Sequence, residues 1–253
     1  MRARSHWLWA AAAAAIVAAW AGTAAADGEC FSTHTSGNEE TYLSFCISEH
    51  GNLVQFESPE RHGHLGAHEG YALCGWFEEN RYDAGLHESG FGEATISQPN
   101  GANTLPLTIT RETTDGHFRL RQTFARDTTE KDVTITMTLT NISGAVRSLV
   151  SLVRYFASGD ARFARTADSV WAWDGGLEPY GLRLTARTPT VSHATAVEAF
   201  DDWLPPAGTG AGCFTDLAAT PTEPGMFAGR VWYGWATIKA GGSKTATFVY
   251  RRF

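Results

Sequence analysis

Residues 132–143 read "DVTITMTLTNIS". Val133, Ile135, Met137 and Leu139 alternate with Thr134, Thr136, Thr138 and Thr140. Successive side chains of a strand point to opposite faces. This period of two therefore predicts a strand with one apolar face on a core and one hydroxyl face turned outward. Threonine is β-branched and suits a pleated surface better than a helix. The turn "NISGAV" follows, and "SLVSLVRYFAS" (148–158) then runs apolar on both faces. A strand without a polar face is covered on both sides. The two segments are expected to form a β-hairpin whose second strand lies deeper.

The same style recurs along the chain. "TYLSFCIS" puts Leu43, Phe45 and Ile47 on one side. "HFRLRQTF" sets Phe118, Leu120 and Phe124 against His117, Arg119 and Arg121. "GLRLTART", "GRVWYGWATI" and "KTATFVYRRF" are further candidate strands. The last of these alternates up to Phe253 and is expected to be paired into a sheet. Turn-forming clusters such as "SPER", "QPNG", "TTDG", "WDGG" and "KAGG" separate them. No segment after residue 26 keeps a helical period for more than two turns. The expected fold is all-β, a large antiparallel β-sandwich of about 12 or more strands in one domain spanning 27–253. The Pro/Gly-rich "WLPPAGTGAGC" (203–213) is short and leads into a cysteine, so it reads as a tethered loop and not as a domain boundary.

The first 26 residues have the three-part layout of a secretory signal peptide. Arg2 and Arg4 precede an apolar run from Trp7 to Trp20, and small residues at Ala24 and Ala26 suit cleavage after Ala26. An apolar core of about 14 residues falls short of the roughly 20 that span a bilayer. The expected location is secreted or periplasmic, with no stable membrane anchor after cleavage. The formal charge is −7, and removing Arg2 and Arg4 takes it to about −9. Lys131, Lys239 and Lys244 are the only lysines. An acidic, lysine-poor chain is a poor partner for nucleic acid. All four cysteines lie beyond the leader, with no C-x-x-C pair of the kind that begins a zinc site. An even count in an exported chain reads as disulfides with three possible pairings. We expect Cys30–Cys46, joining neighbouring strands, and Cys74–Cys213, pinning the 203–213 loop to the body.

Two stretches carry candidate chemistry. "RHGHLGAHEG" (61–70) holds His62, His64 and His68, with Glu69 beside them. On an extended segment His62 and His64 point the same way, as two metal ligands should. Gly63, Gly66 and Gly70 make pre-ordering costly in entropy, so a solvated loop without metal is the expected state. "RYFASGDARFARTADSVWAWDGG" (154–176) gathers Arg154, Asp160, Asp168, Trp171 and Trp173, the candidate ligand-binding set. Trp171 and Trp173 share a face if this is a strand, and could stack on a sugar ring or fill the sandwich. Asp160, Asp168 and Asp174 near a turn could hold calcium, but their spacing matches no EF-hand loop. There is no nucleophile elbow, H-E-x-x-H, P-loop or dinucleotide fingerprint, and no cofactor is expected.

Two resemblances rest on these residues. "KDVTITMTLTNISGAVRSLVSLVRYFASGD…RTADSVW" with "KTATFVYRRF" resembles a group of uncharacterised secreted bacterial β-proteins; the likeness covers most of the mature chain and implies no activity. Locally, "TLTNISG…SLVRYFASGD" resembles the strand pair of galactose-mutarotase-like and hexose-6-phosphate-epimerase-like sandwiches. There a "TN" turn leads into an H-x-Y-F strand that carries a catalytic histidine. Here Val153 holds the histidine position, followed by Arg154, Tyr155 and Phe156. Valine neither donates nor accepts a proton, so the resemblance implies the sandwich and argues against epimerase chemistry. The favoured reading is a non-catalytic binding or envelope-associated protein with carbohydrate as its candidate ligand. The alternative is a sugar-active enzyme of the mutarotase or glycoside-processing kind.

Overall fold

The structure is a computed structural model that describes residues 29–64, 68–75, 81–85, 88–127, 131–173, 180–188, 190–199 and 225–253. Residues 1–26, read above as a signal peptide, Asp174 and Cys213 lie outside these residues. Fifteen strands and no α-helix occur among the described residues. No helix among them is long and apolar enough to cross a membrane. β1 (Cys30–Ser36), β2 (Leu43–Ser48) and β3 (Leu53–Glu57) form a three-stranded sheet in that order. The second sheet has twelve strands. These are β4 (His68–Gly75), β5 (Arg81–Ala84), β6 (Thr95–Ser97), β7 (Leu107–Glu112), β8 (Phe118–Asp127) and β9 (Asp132–Asn141). The others are β10 (Arg147–Arg165), β11 (Ser169–Trp173), β12 (Gly181–Ala186), β13 (His193–Ala199), β14 (Gly225–Ile238) and β15 (Ser243–Arg252). The chain is a large antiparallel β-sandwich, as its alternation requires.

β10 makes the sandwich from one continuous sheet. It is 19 residues long. Its first part pairs with β4 and β14, in a layer ordered β5-β4-β10-β14-β13. Its last part, Arg162–Arg165, pairs with β11 and opens the run β11-β12-β15-β9-β8-β7-β6. The register shifts between Ser158 and Ala161, where the strand passes from one layer to the other. Such a bulge bends a strand and increases its twist. The two layers then meet face to face, with β14 against β11 and β12. Gly229 of β14 permits this approach, because a Cβ there would meet Val170 Cγ2 at 2.6 Å.

Local patterning survives in the core. Val133, Ile135, Met137 and Leu139 are fully buried, and the threonines between them are partly exposed. Phe118, Leu120 and Phe124 join the same core while Arg119 and Arg121 stay exposed. β15 pairs on both edges, with β9 and β12. β2 is buried along its whole length, beyond the single apolar side its alternation suggests.

The expected β9–β10 hairpin is corrected. β9 pairs with β8 and β15, while β10 pairs with β4, β14 and β11. A strand apolar on both faces gains most at the centre of its own layer, so the turn carries the chain across the sandwich. Asn141, fully buried, holds this corner. Its amide nitrogen donates to Ala145 O at 2.8 Å and Ile238 O at 2.9 Å, and its Oδ1 accepts from Ser143 N at 3.0 Å.

The first expected disulfide, Cys30–Cys46, is present with a Cα–Cα distance of 5.7 Å. Cys74 is buried on β4; its expected pairing with Cys213 falls outside the described residues.

Candidate functional site

A cleft of about 260 Å³ opens where the chain leaves β3 and passes the far end of β11. Arg61, His62, Gly63, His64, Trp173 and Tyr180 line it, over a floor that includes Ser158 and Ala161. Those floor residues flank the β10 bulge, so the bend that joins the two layers also shapes the cleft.

Residues 58–64 reach it by doubling back on β3. Ser58 N donates to His62 O at 3.0 Å, and His64 N donates to Phe56 O at 2.9 Å. Gly63 pairs with Glu57, which makes 62–64 a short added rung. On that extended rung His62 and His64 lie on one side, as their i, i+2 spacing predicts, and both line the cleft. His62 Nδ1 lies 3.0 Å from Glu60 O, and His64 Nε2 lies 2.5 Å from Ser58 O. Arg61 sits at φ 72°, a left-handed turn position.

Tyr180 is held from three sides. His62 meets its ring edge-on at 5.1 Å. The Arg252 guanidinium stacks on it at 5.1 Å. Its hydroxyl donates to Glu40 Oε1 at 3.3 Å. Trp173 ends β11 on the same face as Trp171, with Val170 and Ala172 turned inward. The expected shared face of the two tryptophans is therefore seen. Trp171 packs beside Arg183, whose guanidinium lies 5.2 Å from its ring and 5.2 Å from Phe253.

The remaining candidates go elsewhere. Arg154 is withdrawn from the ligand-binding set, because it is 0% exposed inside the sandwich. Its Nε donates to Glu69 Oε1 at 2.7 Å and its Nη2 to Glu69 Oε2 at 3.1 Å. Its other donors go to Gln122 Oε1 at 2.9 Å and Gly51 O at 3.0 Å. The Glu69 carboxylate also accepts from Tyr250 OH at 2.6 Å and Leu53 N at 2.5 Å. A planar guanidinium with its donors used in this way has nothing left for a ligand. Burial pulls the Arg154 pKa down; the Glu69 charge and Tyr250 outweigh it and hold the group above its ordinary value. Tyr71, under the same guanidinium, is pushed up to about 12, chiefly by burial. Glu69 is thereby excluded as a third ligand beside the histidines.

His68 opens β4 opposite Ala157 and is not among the cleft-lining residues. No cluster of three His, Cys, Asp or Glu side chains that could hold a metal occurs among the described residues. Asp160 lies in β10 between Ser158 and Ala161. Asp168 sits in the β10–β11 turn, where its Oδ1 accepts from His193 Nε2 at 2.8 Å. His193 Nδ1 lies 2.8 Å from Val191 O, so both ring nitrogens face acceptors and the cation is favoured. The hydrogen bond to Asp168 raises the His193 pKa, against a smaller downward pull from burial. A histidine raised on folding stabilises the fold fully below its unfolded value, and that contribution disappears as pH rises through the folded value. Asp168→Asn is therefore expected to lower the melting temperature more at about pH 5.5 than at about pH 8.5. Thermal scans at both values check this; an equal loss at the two would show that the pair carries no charge dependence.

The outer face of the β5-β4-β10-β14-β13 layer carries a second polar group. Tyr155 OH donates to Asp83 Oδ2 at 3.5 Å, and Arg230 donates to Glu198. Arg230 also lies 5.2 Å above the Trp232 ring. Val153, the position of the catalytic histidine in the mutarotase-like resemblance, is fully buried here with Ala72, Ala196 and Trp232. Asp83 and Glu198 stand on the two outermost strands of this layer, and the groups they bond, Tyr155 and Arg230, are register partners on β10 and β14.

Alternation in the sequence pointed to Trp173 and to the paired orientation of His62 and His64. Tyr180 and Arg61 were missed; Arg61 opens the 61–70 stretch itself, and Tyr180 lies just beyond 154–176.

No family model matches the chain, and no curated protein matches it. Among solved structures it is similar to a bacterial glucoamylase complexed with acarbose, at 7% identity and a TM-score of 0.60. That similarity covers 89% of this chain and 32% of the glucoamylase, so the chain spans about a third of that protein. Mutarotase-like proteins are also among the similar structures. One is a galactose mutarotase related enzyme from Lactobacillus acidophilus, at 10% identity and a TM-score of 0.42, covering 87% of this chain and 97% of that one. At such identities the likeness is one of fold: a large antiparallel β-sandwich of the architecture found within the glucoamylase.

Proposed function

We propose that the protein is exported and binds carbohydrate, without turning it over, in the cleft between residues 61–64 and the Trp173 end of β11. The observation that carries this is the ring of Trp173, Tyr180 and His62 around a cleft of about 260 Å³. A sugar ring has an apolar C–H face and a polar rim of hydroxyls. An aromatic plate takes the first, and imidazole, guanidinium and backbone groups take the second. Tyr180 is already fixed by Arg252, Glu40 and His62, so little ordering remains to oppose binding. No carboxylate is among the described lining residues, whereas glycoside cleavage uses two.

Trp173→Ala is expected to weaken binding of the preferred oligosaccharide by at least about ten-fold, the scale of a truncated interface anchor. Trp173 is partly exposed at a strand end, so the fold should survive, and circular dichroism checks this. A glycan array followed by calorimetry on wild type and variant is the test. Unchanged binding in the variant rejects this site. Release of reducing ends, or accelerated anomer interconversion by the wild-type protein, rejects the non-catalytic reading in favour of a sugar-active enzyme.

A further inference from the structure

One arginine lines the cleft and two more flank the tryptophans of β11. Arg61 lines the cleft itself. Arg162 stands directly opposite Trp173 in the β10–β11 register and is exposed. Arg183 stands opposite Trp171 in the β11–β12 register, its guanidinium between the Trp171 and Phe253 rings. Cross-strand partners project to the same face, so Arg162, Trp173, Trp171 and Arg183 share one surface.

None of the three guanidinium groups has a carboxylate partner among the described residues, although the Arg61 backbone N–H donates to Glu57 Oε1 at 2.5 Å. Arg119, Arg154, Arg230, Arg251 and Arg252 are each paired, with Glu112, Glu69, Glu198, Asp132 and Glu40 respectively. The chain carries 27 acidic against 20 basic residues, so acidic partners are in excess. Three guanidinium groups with no carboxylate partner among the described residues thus stand near two partly exposed tryptophans on an acidic protein. Neighbouring like charges repel, and a bound anion relieves that repulsion. The Arg183 fork is also pre-oriented by its two flanking rings, which favours planar, two-pronged recognition.

We infer that the ligand is an acidic glycan whose uronate carboxylates are recognised by Arg61, Arg162 and Arg183, with successive sugar rings on Trp173 and Trp171. The inference rests on the carbohydrate-binding reading above and names its substrate class. Trp171 and Trp173 lie two residues apart on one strand face, about 6.7 Å, a step that adjacent sugar units of one chain can bridge. Guanidinium and carboxylate are planar and match in a bidentate pair, which neutral sugars cannot offer.

The test is calorimetric titration of the mature protein with unsulfated oligogalacturonate, oligomannuronate and hyaluronan fragments, set against neutral cello- and galacto-oligosaccharides of equal length. At least one uronate ligand is expected to bind about ten-fold or more tightly than every neutral one, consistent with charge-assisted pairing. Its affinity should fall as salt rises. The preference should vanish in an Arg162→Gln/Arg183→Gln double variant. Arg162 is exposed and Arg183 partly so, and an unchanged melting temperature would exclude misfolding. Neutral ligands binding as tightly as uronates, or a preference that survives the double variant, overturns the acidic-glycan inference and leaves the carbohydrate reading standing. Binding of neither class overturns both.

Discussion

Arg154→Met lowers the stability of the protein by about 3–5 kcal/mol, the usual cost of breaking a buried ion pair from one side. For a domain of this size that is a fall of roughly 6–20 °C in melting temperature. The cost comes from what is left behind. Glu69, 1% exposed and with its pKa already raised by burial, would lose its counter-cation and be left with Tyr250 and the Leu53 amide as donors, so it must hold an unpaired charge or take up a proton. Gln122 Oε1 and Gly51 O would lose their donor as well. These groups come from β4, β8, β15 and the turn before β3, so the guanidinium ties both layers and the small sheet at one point. Denaturant unfolding of Arg154→Met and of Glu69→Leu/Arg154→Met separates charge burial from packing. The double variant should recover part of the loss, because no uncompensated charge remains; the orphaned Leu53 amide and Gln122 prevent full recovery. A single-variant loss below about 1 kcal/mol would show that water reaches the pair and would undo this account.

Cys30→Ala/Cys46→Ala is the second large effect, at about 3 kcal/mol. The bridge closes a segment with a sequence separation of 16, and loops of that length are worth about this much when cross-linked in the unfolded chain. Cys46 is buried and Cys30 exposed, so little of the loss comes from packing at Cys30. Other ties hold β1 in place: its pairing with β2, the Gln98 Nε2 bond to Ser32 Oγ at 2.9 Å and the Thr33 N bond to Asn103 Oδ1 at 3.1 Å. The variant is therefore expected to fold with a lower denaturation midpoint and an accessible N-terminal segment, seen by limited proteolysis. A midpoint matching wild type would mean that these contacts alone hold β1. Non-reducing peptide mapping of the wild-type protein in the same experiment is expected to recover Cys74–Cys213 as the second bridge.

What the sequence by itself determined is the part governed by the pleat. Alternation in β9 placed Val133, Ile135, Met137 and Leu139 inside and their threonines outside, and alternation in β8 did the same for Phe118, Leu120 and Phe124. The same local rule put Trp171 beside Trp173 and His62 beside His64, because i and i+2 share a face whatever the strand pairs with. The Cys30–Cys46 bridge was legible because a sequence separation of 16 leaves room for two short strands and a turn.

Only the tertiary structure decided partners. "NISGAV" reads equally well as a hairpin turn and as a passage between layers; the choice fell to the burial of both faces of β10, which has to be shared with β4 and β14. Arg154 and Glu69 are 85 residues apart in the chain, and nothing local to either one announces the other. Arg154 read as a candidate ligand-binding group in a strand otherwise apolar on both faces. It became a core residue because its register on β10 turned it toward the facing layer, where a buried cation is tolerable only against a carboxylate. The cleft follows the same logic. Its histidines, its tryptophan and its tyrosine come from three separate stretches that meet only because β10 bends at Ser158–Ala161 and the chain after β3 doubles back over the bend. A side chain's face is set within two residues of it, but its neighbours are set by which layers close around it.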